Sequence, residues 1–218
     1  MENAFGKNKC DDIFSLSKKI SACRICADHP LFLPPLPHQP RPVAYLSNTA
    51  KVVIAGQAPG LRVHETGIPF NDRSGDRLRQ WLGVSREEFY DKNRFAIVPM
   101  GFCFPGYSHS KSDLPPRKEC KMVWHDRIFN AMPQIKLVLA IGSYSQKYHI
   151  DGVSNKKVSE IVLDWKNILS TRQNRGYYVL PLPHPSWRNT AWINKNPWFE
   201  EELLPKLKCF VNKYSVLE

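Results

Sequence analysis

The chain has 218 residues, enough for one α/β domain with a sizeable core, and we expect a single domain over residues 1–218. Its 31 Lys and Arg against 20 Asp and Glu give a formal charge of +11, which favours a polyanionic partner such as nucleic acid; a solvated basic surface is the alternative. No apolar run reaches about 18 residues and no secretory leader is recognised, so we expect a cytoplasmic protein without a membrane span. In a reducing compartment, the six cysteines favour metal ligands or buried thiols over disulfides.

The N-terminal part predicts a short helix followed by an extended arm. Acidic residues precede an apolar pattern that ends at Ile20, and Cys23 and Cys26 then form a CxxC pair. The segment 30–42 holds six prolines, which exclude a helix or a central strand there. What precedes this segment is too short to hold its own core. We therefore expect residues 10–45 to pack on the domain rather than to link two domains.

Strand and helix patterns alternate over the rest of the chain. Short apolar runs predict strands at residues 51–55, 94–98, 137–141 and 177–180. Helical patterns are present at residues 85–90, 117–132, 143–149, 158–169 and 197–214. This alternation predicts an α/β fold, a three-layer α/β/α arrangement with a central four-stranded parallel sheet.

Three local features of the helices are also predicted. Ser74 stands where the N-cap of a helix is expected, before apolar residues at helical spacing. Pro205 is expected to kink the last helix. Cys209 falls on the interpreted apolar face of that helix, so we expect a buried, inert thiol, and Cys10 has no assigned role.

Two motifs stand at predicted strand ends. The sequence GQAPG at residues 56–60 follows the first strand, and His184 follows the fourth between two prolines. In α/β proteins, ligands bind at the carboxyl ends of parallel strands. A lone histidine is usually a surface or core residue. Because this one is held rigidly at a strand end and is paired with a glycine turn, we interpret it as functional.

Taken together, these motifs resemble those of the uracil-DNA glycosylase superfamily, and most of all its family-4, iron–sulfur type. GQAPG resembles the first motif of the family, and the sequence HPS at residues 184–186 resembles the second. A G-x-P-F element at residues 67–70, the CxxC pair, and the later Cys103 and Cys120 complete the resemblance, which spans about residues 20–210.

The resemblance implies an enzyme that flips uracil out of DNA and hydrolyses its N-glycosidic bond in base excision repair. It implies that His184 donates a hydrogen bond to uracil O2, where negative charge develops, and that Phe70 stacks on the flipped base. The residues implied at the substrate are Gly56, Ala58, Pro59, Gly60, Phe70, Asn71 and Ser186.

Two positions depart from the family pattern. Gln57, the second implied catalytic residue, replaces a Glu; it can orient water through its carbonyl but cannot accept a proton. Pro99 replaces an Asn that reads the uracil edge. Water positioning alone is one solution, and other candidates for a base are His64, Glu65 and Asp72. A different deaminated base, or recognition by Asn71, also stays open.

The cysteines suggest a metal centre. Four of them form a candidate thiolate set: Cys23, Cys26, Cys103 and Cys120. Four thiolates suit either zinc or an iron–sulfur cluster. The family resemblance favours a structural 4Fe–4S cluster, with zinc as the alternative.

We expect DNA contacts on loops at the same edge of the sheet. In the superfamily, the loop after the second motif enters the minor groove, so Trp187 or Arg188 is expected to fill the space left by the flipped base. The candidate DNA contacts are Arg62, Arg73, Lys111, Trp187, Arg188 and Asn189. For Trp187 and Trp192, a place in the core is an equal alternative.

The sequence therefore favours a DNA glycosylase acting as a monomer on uracil, or a related deaminated base, in single- or double-stranded DNA. The alternative is a non-catalytic protein of the same fold that binds damaged or abasic DNA, which the replacements at Gln57 and Pro99 favour. A nucleotide or RNA hydrolase is the third, weaker hypothesis.

Overall fold

A four-stranded parallel sheet lies at the centre of the structure, a computed structural model that describes residues 12–215. The strands are β1 (Val52–Ala55), β2 (Phe95–Ile97), β3 (Leu137–Ile141) and β4 (Tyr178–Leu182). Their order across the sheet is β2-β1-β3-β4, and every neighbouring pair is parallel. All four strands therefore end at one edge, where folds of this class bind ligands.

Helices surround this sheet. In chain order, the α-helices of the described residues are α1 (Ile13–Ser21), α2 (Ile25–Asp28), α3 (Leu61–Thr66), α4 (Arg73–Leu82), α5 (Arg86–Tyr90), α6 (Lys118–Cys120), α7 (Asp126–Ala131), α8 (Ser143–His149), α9 (Val158–Leu163), α10 (Trp165–Ser170), α11 (Thr190–Asn194) and α12 (Leu204–Ser215). A π-helical segment, Lys121–His125, joins α6 to α7, and another, Phe199–Leu203, precedes α12. Within residues 12–215, no helix combines the length and the apolar character needed to cross a membrane.

The two faces of the sheet carry separate apolar cores. On one face, Val53 of β1 packs in a cluster with Leu16 of α1. On the other face, Val52 packs with Leu78 of α4 and Leu207 of α12. This alternation follows from the period of two along a strand, and both faces are covered. The predicted three-layer α/β/α fold with a central four-stranded parallel sheet is confirmed.

Strand β4 is longer than predicted. It continues through Pro181 to Leu182 instead of ending at residue 180. Proline has no N–H to donate, so it is disfavoured in a central strand, which pairs with a neighbour on each side. It is tolerated here because β4 is an edge strand, with Pro181 opposite Ala140 of its single neighbour β3.

The predicted cap of α4 at Ser74 is wrong by two residues. Asp72 caps the helix, and its Oδ1 accepts a hydrogen bond from the Gly75 N–H at 2.8 Å. The Ser74 hydroxyl donates to the same oxygen at 2.7 Å. The carboxylate reaches the third residue of the helix from the residue before it, which is the usual N-cap geometry.

The helices predicted at residues 158–169 and 117–132 are interrupted in the structure. The first divides into α9 and α10 at Asp164, which lies between them. The second contains the π-helical segment. Apolar periodicity alone predicts the buried face of each segment but not a local change in the backbone pattern.

The last predicted helix begins as a π-helical segment, and the predicted burial of Cys209 is wrong. Pro205 is the second residue of α12, and the π-helical segment ends two residues before it. Cys209 is exposed, not buried, because the apolar stripe runs through Leu203, Leu207 and Val211 at intervals of four, and Cys209 faces away from it. Cys10 lies outside the described residues.

The proline-rich arm lies along the outer strand of the sheet. Tyr45 exchanges two backbone hydrogen bonds of 2.8 Å with Ile97 of β2, and the Val43 N–H donates to the Phe102 carbonyl at 2.7 Å. Further out, an Arg41 nitrogen donates to the Glu65 carbonyl at 2.6 Å. These contacts place Val43 at the carboxyl edge of the sheet.

Candidate functional site

A pocket opens at the carboxyl ends of the strands. The glycine turn after β1 forms one side, and His184, after β4, forms another. The lining residues are Val43, Gly56, Gln57, Ala58, Pro59, Gly60, Val63, Pro69, Phe70, Asp72, Ser74, Ile97, Pro99, Asp113 and His184. The structure thus brings His184 together with Gln57 of the glycine turn and with Phe70, which precede it by more than 110 residues in the sequence.

Backbone hydrogen bonds fix the glycine turn. The Met100 N–H donates to the Gly56 carbonyl and the Gly101 N–H to the Gln57 carbonyl, each at 2.9 Å. These bonds join the turn to the segment that follows β2. Because two consecutive carbonyls of the turn are bound in this way, the backbone of Gln57 has a defined position at the pocket.

Phe70 forms a wall of the pocket against the glycine turn. A Cβ added to Gly56 would lie 3.1 Å from Cζ of Phe70, so the ring packs where a side chain would otherwise be. Phe70 adopts a positive φ of 53°, and its ring meets Phe89 edge-on with centroids 5.9 Å apart. A Cβ on Gly75 of α4 would lie 1.8 Å from the Phe70 carbonyl oxygen. The position of Phe70 therefore depends on glycine at two places.

His184 is half-buried between two prolines at the end of β4. Its carbonyl accepts a hydrogen bond of 2.7 Å from the Asn189 side-chain amide, which holds the following loop against it. Burial lowers the pKa of His184, whereas the carboxylates of Asp72 and Asp113 act in the opposite direction. The imidazole is therefore neutral at neutral pH and can donate one hydrogen bond.

Two carboxylates face the pocket. Asp72 is the N-cap of α4 and accepts the two hydrogen bonds described above. Asp113 belongs to the loop between β2 and α6, and burial raises its pKa, whereas the nearby His184 and Arg188 act in the opposite direction. Sequence reasoning missed Asp113. It belongs to none of the motifs, and only the fold brings its loop to the pocket.

The wall of the pocket near the end of β2 is apolar. Pro99 stands there beside Ile97 and Val43. None of these three side chains carries a hydrogen-bond donor or acceptor. The polar groups of the pocket are therefore on the opposite sides, from the glycine turn, His184 and the two carboxylates.

An outer cleft with a cavity of about 560 Å³ adjoins the pocket. Gln57, Asp113 and His184 line both spaces. Lys111, Ser186, Trp187, Arg188 and Asn189 line the cleft only. The Trp187 side chain is 74% exposed, whereas Trp192 packs on the core below. The cleft thus presents an exposed indole and two cations at the mouth of the pocket.

Arg77 of α4 positions this cleft, and sequence reasoning missed it. Its guanidinium donates to the Ser186 carbonyl and to the Thr190 hydroxyl, each at 3.1 Å. The Ser186 hydroxyl in turn accepts from the Arg188 N–H at 3.3 Å. These contacts fix the loop that carries Trp187. An arginine in an amphipathic helix gives no sequence signal for such a role.

Several candidate residues lie away from the pocket. The Asn71 amide oxygen accepts a hydrogen bond of 2.9 Å from Arg86, and the residue does not line the pocket. Arg62 and Arg73 are exposed on α3 and α4 outside both spaces. Glu65 is exposed, and His64 packs against His38, with ring centroids 4.4 Å apart. Of the three alternative bases, only Asp72 lines the pocket.

The four candidate cysteines lie at the junction of the arm, the segment after β2, and α6. Cys26, Cys103 and Cys120 are buried, Cys23 is half-buried, and all four are free thiols. The Phe102 N–H donates to the Cys120 sulfur at 3.4 Å, and the neighbouring Cys120 thiol lowers the pKa of Cys26. Burial raises the pKa of Cys103 to about 12, and the neighbouring Cys26 and Cys23 act in the same direction.

This donor set fits a thiolate-bound metal group in its chemistry. Soft thiolates are the ligands of iron–sulfur clusters and of structural zinc. Within residues 12–215, however, no three His, Cys, Asp or Glu side chains are arranged as a formed metal site. The structure therefore assembles the thiols in one place without the geometry of a coordination shell.

Comparison with known proteins gives three findings. The model of the family described as "Uracil DNA glycosylase superfamily" matches residues 43–208. A "Type-4 uracil-DNA glycosylase" of Thermotoga maritima is 27% identical over 169 residues, which cover 75% of this chain and 79% of that protein. A solution NMR structure of a candidate uracil DNA glycosylase from Methanosarcina acetivorans has a TM-score of 0.41 and 15% identity, covering 76% of this chain and 93% of that one.

Proposed function

Because this chain belongs to the uracil DNA glycosylase superfamily, we propose that it hydrolyses the N-glycosidic bond of uracil, or of a related deaminated base, in DNA. The product is an abasic site, which places the reaction in base excision repair. The observation that carries this proposal is the single pocket that joins Phe70, Gln57 and His184 at the carboxyl ends of the strands.

The pocket accounts for binding of a flipped base. A base inside a duplex cannot reach a protein pocket, so it has to rotate out of the helix. Phe70 then offers a ring on which the base stacks, held in place by its contact with Gly56. The glycine turn permits close approach of the backbone to the base and the deoxyribose.

His184 stabilises the leaving base. As the glycosidic bond breaks, its electrons move into the base, and negative charge develops on uracil O2. A neutral imidazole donates a hydrogen bond to that oxygen without first losing a proton. A preorganised donor of this kind contributes about 2.7–4 kcal/mol to the transition state.

Gln57 orients the attacking water. It lines both the pocket and the outer cleft, where water reaches the sugar. Its amide carbonyl accepts a hydrogen bond from water but takes no proton. Because the oxocarbenium-like sugar is strongly electrophilic, orientation of water supports the reaction even without a carboxylate at this position.

The loop after β4 and the loop before α6 contact DNA beside the pocket. Trp187 is exposed enough to enter the space left by the flipped base, and Arg188 and Lys111 lie where phosphates pass the cleft. Asn189 supports this loop through its hydrogen bond to the His184 carbonyl. Arg62 and Arg73 contact phosphates further along the strand.

Cys23, Cys26, Cys103 and Cys120 hold a 4Fe–4S cluster in this proposal, with zinc as the alternative. When bound, such a group cross-links the arm and the segment after β2. The thiols lie apart from the pocket-lining residues, so their contribution is to the fold. The four free thiols and the similarity to a Type-4 relative support this assignment.

The test is release of uracil from single-stranded DNA by the wild type and by His184→Ala. We expect wild-type release that falls about 100-fold or more in the variant, from loss of the donor to O2. His29→Ala is the matched control, because His29 is exposed at the end of α2 and lines neither the pocket nor the cleft.

The second candidate is a non-catalytic protein that binds damaged or abasic DNA, favoured by the absence of a proton acceptor at Gln57. It predicts no base release by the wild type from uracil, hypoxanthine or xanthine substrates. It also predicts unchanged DNA affinity in His184→Ala. Measuring affinity on the same oligonucleotides separates the two functions.

A further inference from the structure

The loop that carries Asp113 is held in a defined shape. The Leu114 N–H donates to the Gly106 carbonyl at 2.9 Å, and Asp113 pairs with Tyr107 as an isolated antiparallel bridge. Closer to the tip, the Ser108 N–H donates to the Ser112 carbonyl at 2.8 Å. Asp113 therefore projects from a closed turn rather than from a free loop.

The carboxylate of Asp113 lies where the pocket and the outer cleft meet. It lines both spaces together with His184 and Gln57. A Cβ added to Gly60 would lie 3.8 Å from Oδ2 of Asp113, which places the carboxylate beside the glycine turn. Among the hydrogen bonds and ion pairs of residues 12–215, none involves this carboxylate, so both oxygens are available to a substrate or to water.

The other acidic residues near the pocket are less suited to accept a proton. Oδ1 of Asp72 already accepts hydrogen bonds from the Gly75 N–H and the Ser74 hydroxyl as the cap of α4. That oxygen is therefore occupied by the cap and is not free to bind a water molecule. Glu65 is exposed and lies outside the pocket. Asp113 is thus the carboxylate of the pocket with no competing role in the described structure.

We propose that Asp113 is the general base of this reaction and supplies the carboxylate that Gln57 lacks. This inference rests on the proposed glycosylase function. Gln57 orients a water molecule, the water oxygen forms a bond to C1′ of the sugar, and one water proton passes to Asp113. The bond between C1′ and the base nitrogen breaks, and its electron pair leaves with the base that His184 stabilises. The proton on Asp113 then returns to solvent, and the released base takes up one proton.

The charged groups that face Asp113 set the pH dependence of this step. His184, from the turn after β4, and Arg188, from the following loop, favour the ionised carboxylate, whereas Asp72 of the α4 cap disfavours it. Lys111, on the same loop as Asp113, also lines the cleft. Burial raises the pKa of Asp113 above that of an ordinary aspartate. Since the base acts when ionised, activity falls as pH decreases through this raised pKa.

The test is base release under single-turnover conditions by Asp113→Asn, with Asp113→Glu and Asp72→Asn for comparison. We expect Asp113→Asn to lose at least 100-fold in rate and to lose the decline of rate at low pH. Asp113→Glu should recover part of the rate, because it restores a proton acceptor. Ser110→Ala, an exposed change on the same loop, should stay within threefold of the wild type.

Binding separates a catalytic role from a structural one. The probe is an oligonucleotide with a 2′-fluoro deoxyuridine, whose glycosidic bond resists hydrolysis. We expect Asp113→Asn to bind it within twofold of the wild type. A loss of affinity that matches the loss of rate would overturn the proposal.

Two further outcomes separate a failure of this inference from a failure of the proposed function. If Asp113→Asn stays within threefold of the wild type while Asp72→Asn loses the rate, Asp72 is the base, and only this inference fails. If the wild type releases no base from any substrate, the proposed function fails, and the inference fails with it.

Discussion

Gly75 fixes the position of Phe70, the proposed stacking residue, so Gly75→Ala should damage both stability and activity. An alanine Cβ would lie 1.8 Å from the Phe70 carbonyl oxygen and 2.6 Å from its carbonyl carbon. An acceptable C···O separation is about 3.3 Å, so α4 and the backbone of Phe70 have to move apart by roughly 1.5 Å. Both partners are backbone, and no flexible side chain can relieve the contact.

Two opposing effects set the loss of stability in Gly75→Ala. Overpacking costs about 1–3 kcal/mol, and alanine in a helix regains about 1 kcal/mol over glycine. Because the contact is backbone to backbone, we expect the upper end of the cost, a net loss of about 2 kcal/mol. For a chain of this size, that loss lowers Tm by about 4–8 °C. A displacement of about 1 Å at a reacting centre can cost about 100-fold in rate, and we expect at least that loss in base release.

Thermal unfolding and single-turnover base release on the same protein check this prediction. Gly60→Ala is the stability control, because its backbone (φ −80°, ψ 176°) suits alanine and the new Cβ would lie no closer than 3.8 Å to any neighbour. A Gly75→Ala protein with the Tm and the rate of the wild type would refute the idea that this glycine positions Phe70.

Three further predictions concern stability, the cysteines and base selection. Burial lowers the pKa of His125 to about 4, so the unfolded chain binds more protons than the folded one between pH 6.5 and 4. The free energy of unfolding should therefore fall by about 3 kcal/mol as the pH decreases over that range. Denaturant titrations should show a smaller fall in His125→Phe. Cys103→Ser should lower the Tm of the purified protein and its iron and sulfide content, measured by elemental analysis. Cys209→Ser, at an exposed thiol, should change neither. Zinc in place of iron in the wild type would identify the alternative metal. Pro99→Asn adds an amide to the apolar wall and should raise the ratio of uracil to hypoxanthine release at least tenfold; an unchanged ratio would show that this wall does not read the base.

The sheet could be predicted from the sequence because burial on both faces leaves a clear signal. The run Val52–Ala55 is short, apolar and rich in β-branched residues, and a glycine turn marks its end. The ends of helices were harder to predict where a capping side chain sets them. Asp72, not the predicted Ser74, caps α4, because two residues close together could both serve and only the backbone geometry decides between them.

The site was predictable only in part, for a related reason. His184 and Phe70 stand in motifs whose spacing is visible in the sequence, and each lines the pocket. Asp113 and Arg77 act through the position of a loop or a helix relative to distant residues. Asn71 stands beside the motif, yet its side chain turns to Arg86. Sequence proximity to a motif is therefore a weak guide to which polar side chains enter a pocket.

The proposed chemistry explains why the catalytic carboxylate can lie outside the glycine turn, whereas His184 has to keep its position. Negative charge develops on O2 of the leaving base, and a donor has to meet that atom from a fixed direction. The sugar cation, in contrast, is attacked readily by any correctly placed water, so a carboxylate can accept the proton from more than one side of C1′. A chain with His184 at the end of β4 and Asp113 on the loop beside the glycine turn satisfies both requirements. On this argument, restoring a carboxylate with Gln57→Glu should rescue much of the rate lost in Asp113→Asn, and it should rescue none of the rate lost in His184→Ala.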